Sequence, residues 1–279
     1  VHLWVEGFFE VFATAVIAFL FTKLGLVRGS SATAAVLFAT VVFLTGGVLG
    51  TFHHLYWTGT PVGVLALGAS FSALEVVPLV LIGFEAYENY KHGHAKPWVA
   101  AYRWPSLFFV AVAFWNLVGA GLFGFLINPP LALYYMQGLN TTPLHGHTAL
   151  FGVYGMLGIG LMLFCLRGLG NLAHWDERLL KGSFWTLNIG LGLMALLSLL
   201  PHGLMQVHAA VTHGFWYARS AEFLQQPLMQ TLVWLRMPGD IIFAAGAGML
   251  ALFVAKLYIG KAKPAPVAVT PVAEATTGR

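Results

Sequence analysis

VHLWVEGFFEVFATAVIAFLF, residues 1–21, opens the chain and sets the question of its fold. Its second half is apolar apart from Thr14, and a run of about 20 apolar residues crosses a membrane as a helix. Its first half carries His2, Glu6 and Glu10. Ionisable side chains in hydrocarbon cost a few kcal/mol each, so where they occur they usually do work. The whole chain favours the membrane reading. Soluble domains carry about 25% charged residues, whereas this 279-residue chain carries 9%, with 58% hydrophobic residues and a mean hydropathy of +0.79. The expectation is an all-α, polytopic membrane helical bundle.

Working outward, similar apolar runs fall at 1–21, 33–55, 62–86, 107–127, 145–166, 183–204 and 237–259, which makes seven transmembrane helices. The segments between them, such as YWTGTP, KHGHAKPW and GNLAHWDER, carry turn residues. Residues 1–260 read as one transmembrane catalytic domain. The Pro/Ala/Thr-rich residues 261–279 read as a disordered tail. With no Met and no leader ahead of the first span, the chain reads as the C-terminal part of a longer subunit whose N-terminal remainder is a partner.

Lys and Arg orient the spans. Twelve of the 14 fall after spans one, three, five and seven, and only Arg219 and Arg236 fall on the other side. The twelve mark the cytoplasm, so residue 1 lies on the outer side of the membrane and the tail is cytoplasmic. The basic residues are dispersed, which fits lipid and not nucleic acid. Cys165 stands alone, which excludes an internal disulfide and any four-cysteine zinc or iron–sulfur site. Within its apolar run it reads as a buried, inert thiol.

Orientation converts position into depth. His2 starts an inward span, His53 and His54 end an outward one, and His145 and His147 start another inward span. Five imidazoles from three helices therefore meet near the outer face. The other six histidines lie in loops or near span ends. His2 and Glu6 are four residues apart and share a helix face. His53 and His54 precede the YWTGTP turn, where an irregular backbone lets both rings converge. Three imidazoles with one carboxylate suit a first-row metal with an open position, and the oxygen ligand favours iron over copper(I). HGH at 145–147 differs, because two residues along an α-helix turn by about 200°. His145 and His147 face opposite ways, and each can ligate a haem iron. The same tripeptide at His92–His94 lies in a basic loop and reads as solvated.

An inward His with a carboxylate four on, HH after an outward span and HGH opening a later one resemble the catalytic subunit of the haem–copper oxidase superfamily, specifically its bacterial nitric oxide reductases. The main oxygen reductases have tyrosine four residues after the first histidine, where this chain has Glu6. The resemblance covers all seven spans and matches the last seven helices of a twelve-helix subunit. It implies that His2, His53, His54 and Glu6 bind non-haem iron, that His145 is the proximal ligand of haem b3, and that His147 ligates haem b. The second ligand of haem b would come from an earlier helix. The implied reaction, a denitrification step, reduces two NO to nitrous oxide and water with two electrons and two protons.

Glu6 would tune the iron's charge, while Glu10 lies one turn deeper. Glu75 lies in the third span, about 20 Å below its outer end if that helix is straight. Acids in a low-dielectric interior hold protons more firmly, so Glu10 and Glu75 are read as feeding protons to the centre; the rival is that they pair with a missing helix or hydrogen-bond backbone and carry no protons. Electrons come from quinol or a cytochrome c subunit. The stretch WYARSAEFLQQPLMQTLVWLRMPGD looks more like the quinol-fed members. Asp240, at the outer end of the last span, could bond a quinol head group or simply complement a helix dipole. Trp57, Trp98, Trp104, Tyr134, Tyr135, Trp216 and Trp234 fit interfacial belts, and Asn116 and Asn188 fit interhelical hydrogen bonds. The rival functions are a divergent oxygen reductase, a non-catalytic haem carrier and, from another class, a proton-coupled transporter.

Overall fold

The computed structural model describes residues 3–74, 77–92, 97–169 and 175–259, with backbone alone at 5–7, 97–98, 169 and 259. His2, Glu75 and the tail 261–279 lie outside the described residues, as does the side chain of Glu6. Every regular element among the described residues is helical. Leu3–Phe8 and Phe9–Leu24 run on as one helix, α1. It is followed by α2 (Gly29–Thr58), α3 (Val62–Leu74), α4 (Val77–Lys91), α5 (Val99–Ile127), α6 (Pro130–Met136), α7 (Thr141–Gly168), α8 (Glu177–His213) and α9 (Pro227–Tyr258). Six helical stretches among the described residues are long and apolar enough to cross a membrane: α2, Val62–Lys91, α5, α7, α8 and α9. The helices outrun the apolar windows in the sequence, because capping and packing, not hydropathy, end a helix. The expected last span, 237–259, is the helix Met237–Ile259, which a short helix Pro227–Trp234 runs into, and α8 continues to His213.

Apolar surface faces both inward and outward, as a lipid-bathed bundle requires. Phe19, Leu44, Phe84 and Leu252 lie exposed on the outside. The main core joins Ile17 and Phe21 of α1, Leu79 of α4, Phe108 and Phe109 of α5, and Phe253 of α9. Followed along the chain, these residues gather at the end where α1 turns into α2. A smaller cluster of Leu139, Phe223 and Met229 closes the other end. The most extensive helix packing is α8 against α9. It depends on Gly190 and Gly239: a Cβ at Gly190 would sit 2.6 Å from Phe243 N, and one at Gly239 would sit 2.7 Å from Met194 N. Small residues allow such backbone approach between membrane helices.

Two expectations need correction. Cys165 is exposed, because it falls off the core stripe of α7 that Leu163 occupies. Trp104 is 5% exposed and packs on Phe184, so it belongs to the bundle interior and not to an interfacial belt. Trp57, Trp216 and Trp234 are exposed, as a belt requires.

Five π-helical turns interrupt the described helices: Leu3–Phe8, Phe43–Gly47, Asn116–Leu122, Leu150–Gly155 and Met194–Leu199. Each adds a residue to a turn and so rotates everything beyond it relative to a regular helix. These turns lie near the sequence-marked residues on α1, α2, α5 and α7, and the one on α5 carries Asn116 and Gly119.

Candidate functional site

His53 and His54 sit in a 3-10 segment, Thr51–Thr58, that ends α2; Leu55, the next residue, leaves helical geometry (φ −100°, ψ 27°). A regular helix would splay adjacent side chains by about 100°. Here the two ring centroids are 4.1 Å apart and the two Nε2 atoms 2.8 Å apart. At this distance one ring donates a hydrogen bond to the other. Two imidazole nitrogens each about 2.1 Å from one ion lie about 3–3.4 Å apart, so a small outward turn of the rings would seat a shared ion. The expectation that an irregular helix end brings both rings together is met.

Both rings line a cavity of about 320 Å³, and so do Glu10, Asn116 and His145. His145 projects from α7 toward α5, where its Nδ1 is 2.8 Å from the Gly119 carbonyl. A carbonyl only accepts, so Nδ1 carries the hydrogen and Nε2 keeps the lone pair that a metal would take. This is the usual second contact of a metal-binding histidine. Gly119 lies in the π turn of α5, and a Cβ there would meet Thr148 C at 2.6 Å. At Gly124, one helical turn on, a Cβ would meet His145 Cε1 at 3.0 Å. Glycine at these positions lets α5 close on α7 and leaves room for the ring.

His147 turns away from that cavity. Its Nδ1 is 2.8 Å from the Pro143 carbonyl, one turn back on its own helix. That leaves Nε2 as acceptor for Arg236 Nη2, at 3.0 Å. Arg236 also holds Asp240 through Nε–Oδ1 at 3.2 Å. Asp240 thus lies in the first turn of the helix Met237–Ile259, as expected, already paired with the arginine four residues ahead of it. His145 and His147 address different neighbours, as their two-residue spacing requires. Glu10 is 6% exposed, and its Oε1 accepts a 2.9 Å hydrogen bond from Asn116 Nδ2. Among the described residues no three His, Cys, Asp or Glu gather as a metal-sized group; His53 and His54 are the two expected iron ligands whose side chains are described.

Asn116 bridges helices as expected. Three partners were not found from sequence: the acid that Asn116 binds, 106 residues before it, and the Gly119 carbonyl and Arg236, which contact the two haem-candidate histidines. None leaves a local pattern. His202, expected near a span end, is buried within α8 at 7% exposure. Asn188 does bridge helices as expected, through a 2.8 Å bond from Trp115 Nε1 to its Oδ1.

Residues 1–242 match the family described as Cytochrome C and Quinol oxidase polypeptide I. The chain belongs to this family. Among relatives of this oxidase family, it is 30% identical over 260 residues to a nitric oxide reductase subunit of Stutzerimonas stutzeri. That match takes in 88% of this chain and 52% of the relative, so the chain spans about half the length of the curated relative it matches. Family membership and the apolar helices make it a multi-pass membrane chain of an oxidoreductase family, and they imply haem.

Proposed function

We propose that the chain is the catalytic portion of a nitric oxide reductase, with haem b3 on His145 and a non-haem iron held by His2, His53, His54 and Glu6. The observation that carries this is the 2.8 Å approach of the His53 and His54 Nε2 atoms on the wall that His145 shares. The donor set fits both groups, since His145 commits Nδ1 to a carbonyl and leaves Nε2 for a metal. When bound, the two irons supply Lewis acidity and electrons to a pair of NO molecules.

The chain's own residues supply the rest. His53 and His54 would hold one iron and His145 the other, all three lining the one cavity. Glu10 keeps a protonatable carboxyl on the same wall, and Glu75 belongs to the route that refills it. His147 would ligate haem b through Nε2, the atom that Arg236 Nη2 contacts at 3.0 Å, so Arg236 would give up that bond to the iron. Quinol, with Asp240 at its head group, is the proposed electron donor in place of a cytochrome c subunit. In this reading α1 is a seventh span, and the seven match the last seven of a twelve-helix subunit in a bacterial inner membrane. The histidines lie toward the periplasm and residues 261–279 form a cytoplasmic tail.

The test is a metal count, a Soret spectrum and an NO-consumption assay on the purified full-length subunit. Iron without copper, two haems and turnover of NO are expected. Stoichiometric copper would make it an oxygen reductase instead. A colourless preparation would return it to the transporter class.

A further inference from the structure

Glu10 and His145 lie on different helices and never touch, yet one short piece of backbone holds both. The π turn Asn116–Leu122 begins with Asn116, whose Nδ2 donates to Glu10 Oε1 at 2.9 Å. Three residues later, the same turn presents the Gly119 carbonyl to His145 at 2.8 Å. A π turn loosens the regular backbone ladder, which is how a mid-helix carbonyl becomes available to a side chain. The turn itself is fixed in place, because α5 meets α7 at Gly119 with no space for a Cβ. Asn116 is fully buried and Glu10 nearly so, so water does not compete for their bond.

We propose that Asn116 is a positioning residue that orients the Glu10 carboxyl toward the cavity and sets it in register with His145 through the π turn. The inference rests on Glu10 being a proton donor to the centre. Its chemistry is specific. A carboxamide donates a hydrogen bond without carrying charge and does not exchange protons at neutral pH. Bonding Oε1 as acceptor makes it the carbonyl oxygen of the protonated acid. Oε2 then carries the transferable proton, and no described residue bonds to it. A second carboxylate at position 116 would compete for that proton, and a lysine would hold Glu10 ionised. Asparagine does neither.

The test uses the full-length holoprotein with Asn116→Leu, Glu10→Gln and both together, measuring kcat and KM for NO, the haem spectra and the infrared carboxyl bands. Asn116→Leu should lower kcat about tenfold, the effect of one lost hydrogen bond, with KM and both haem spectra unchanged. Glu10→Gln should lower kcat further, and the double variant should be no slower than Glu10→Gln alone. The carboxyl band that disappears in Glu10→Gln should move to higher frequency in Asn116→Leu, because its carbonyl loses a donor. If Asn116→Leu yields no holoprotein, Asn116→Ser, whose hydroxyl falls short of Glu10, takes the same readouts. An unshifted band, or losses that multiply in the double variant, would overturn the proposal while the proton-donor reading stands. Full turnover in Glu10→Gln would overturn both.

Discussion

The two histidine pairs of this molecule obey opposite rules. His53 and His54 are adjacent in sequence, where a helix would splay them, and they converge to 2.8 Å. His145 and His147 are one residue further apart, and they diverge to contact α5 and Arg236 respectively. The difference is in the backbone. The first pair rides a 3-10 segment broken at Leu55, whereas the second rides the regular α-helix Thr141–Ala149. Residue spacing alone therefore does not say whether two ligands share a metal. The local helix type does.

The comparison can be broken by ligand removal. In the full-length subunit, His53→Ala and His54→Ala should each lose non-haem iron and keep both haems. His145→Ala and His147→Ala should each lose a different haem component from the optical spectrum. His53→Ala, His54→Ala and His145→Ala should reduce NO turnover by a hundredfold or more, since even the outer partners of metal ligands are worth about 10–100-fold. If His145→Ala and His147→Ala remove the same optical component, the divergence has no functional meaning.

The contacts behind the second pair predict a smaller effect. Gly119→Val would force a side chain into the Thr148 backbone and should cost about 3 kcal/mol in unfolding, with disturbed haem b3 absorption. Gly124→Ala meets only an imidazole edge at 3.0 Å. It should leave stability within about 1 kcal/mol and still shift the haem b3 band. Equal destabilisation by the two would mean that helix packing, not ring placement, is what both glycines serve. One step further out, Asn188→Leu leaves the Trp115 Nε1 without its acceptor. That should cost about 1–2 kcal/mol, read as earlier thermal loss of helical signal in detergent, with metal content unchanged.

Much of this was legible in the sequence, for physical reasons that also set the limit. Spans are legible because lipid demands unbroken apolar runs, so α2, α5 and α7 stand where hydropathy put them. His53, His54, His145 and His147 are legible because imidazoles are rare in such runs. Hydropathy, however, reports the solvent and not the neighbour, and Cys165 and Trp104 look alike to it while one faces out and the other in. The π turns have no compositional signature, since they exchange one backbone bond for another. The Glu10–Asn116 pair, the Gly119 carbonyl and Arg236 depend on those turns or on long-range packing, and became visible only with the helices in place.

The smallest effect lies at the far end of the molecule, in a surface ion pair between the start of α8 and the end of α9. Asp176 caps α8 by accepting from Arg178 N and Leu179 N, and it bonds Lys256 Nζ of α9 at 2.7 Å. The Lys256 ammonium, followed by those backbone N–H groups, holds its carboxyl below the ordinary carboxylate range. A carboxyl lowered in the folded state contributes its full stability above its unfolded pKa of about 4, and loses it as pH falls through the lower folded value. The α8–α9 contact should therefore weaken only in acid below about pH 4, and stay flat from there to neutrality. Asp176→Asn keeps a good cap and removes the charge, so its cost should be small, present at pH 7, and absent in acid below the folded pKa, where the wild-type carboxyl is also neutral. Asp176→Ala also removes the cap and should cost about 1 kcal/mol more than Asp176→Asn at pH 7. A loss of stability in Asp176→Asn that is as large at pH 7 as that of Asp176→Ala would assign the clamp to the Lys256 charge and not to the cap.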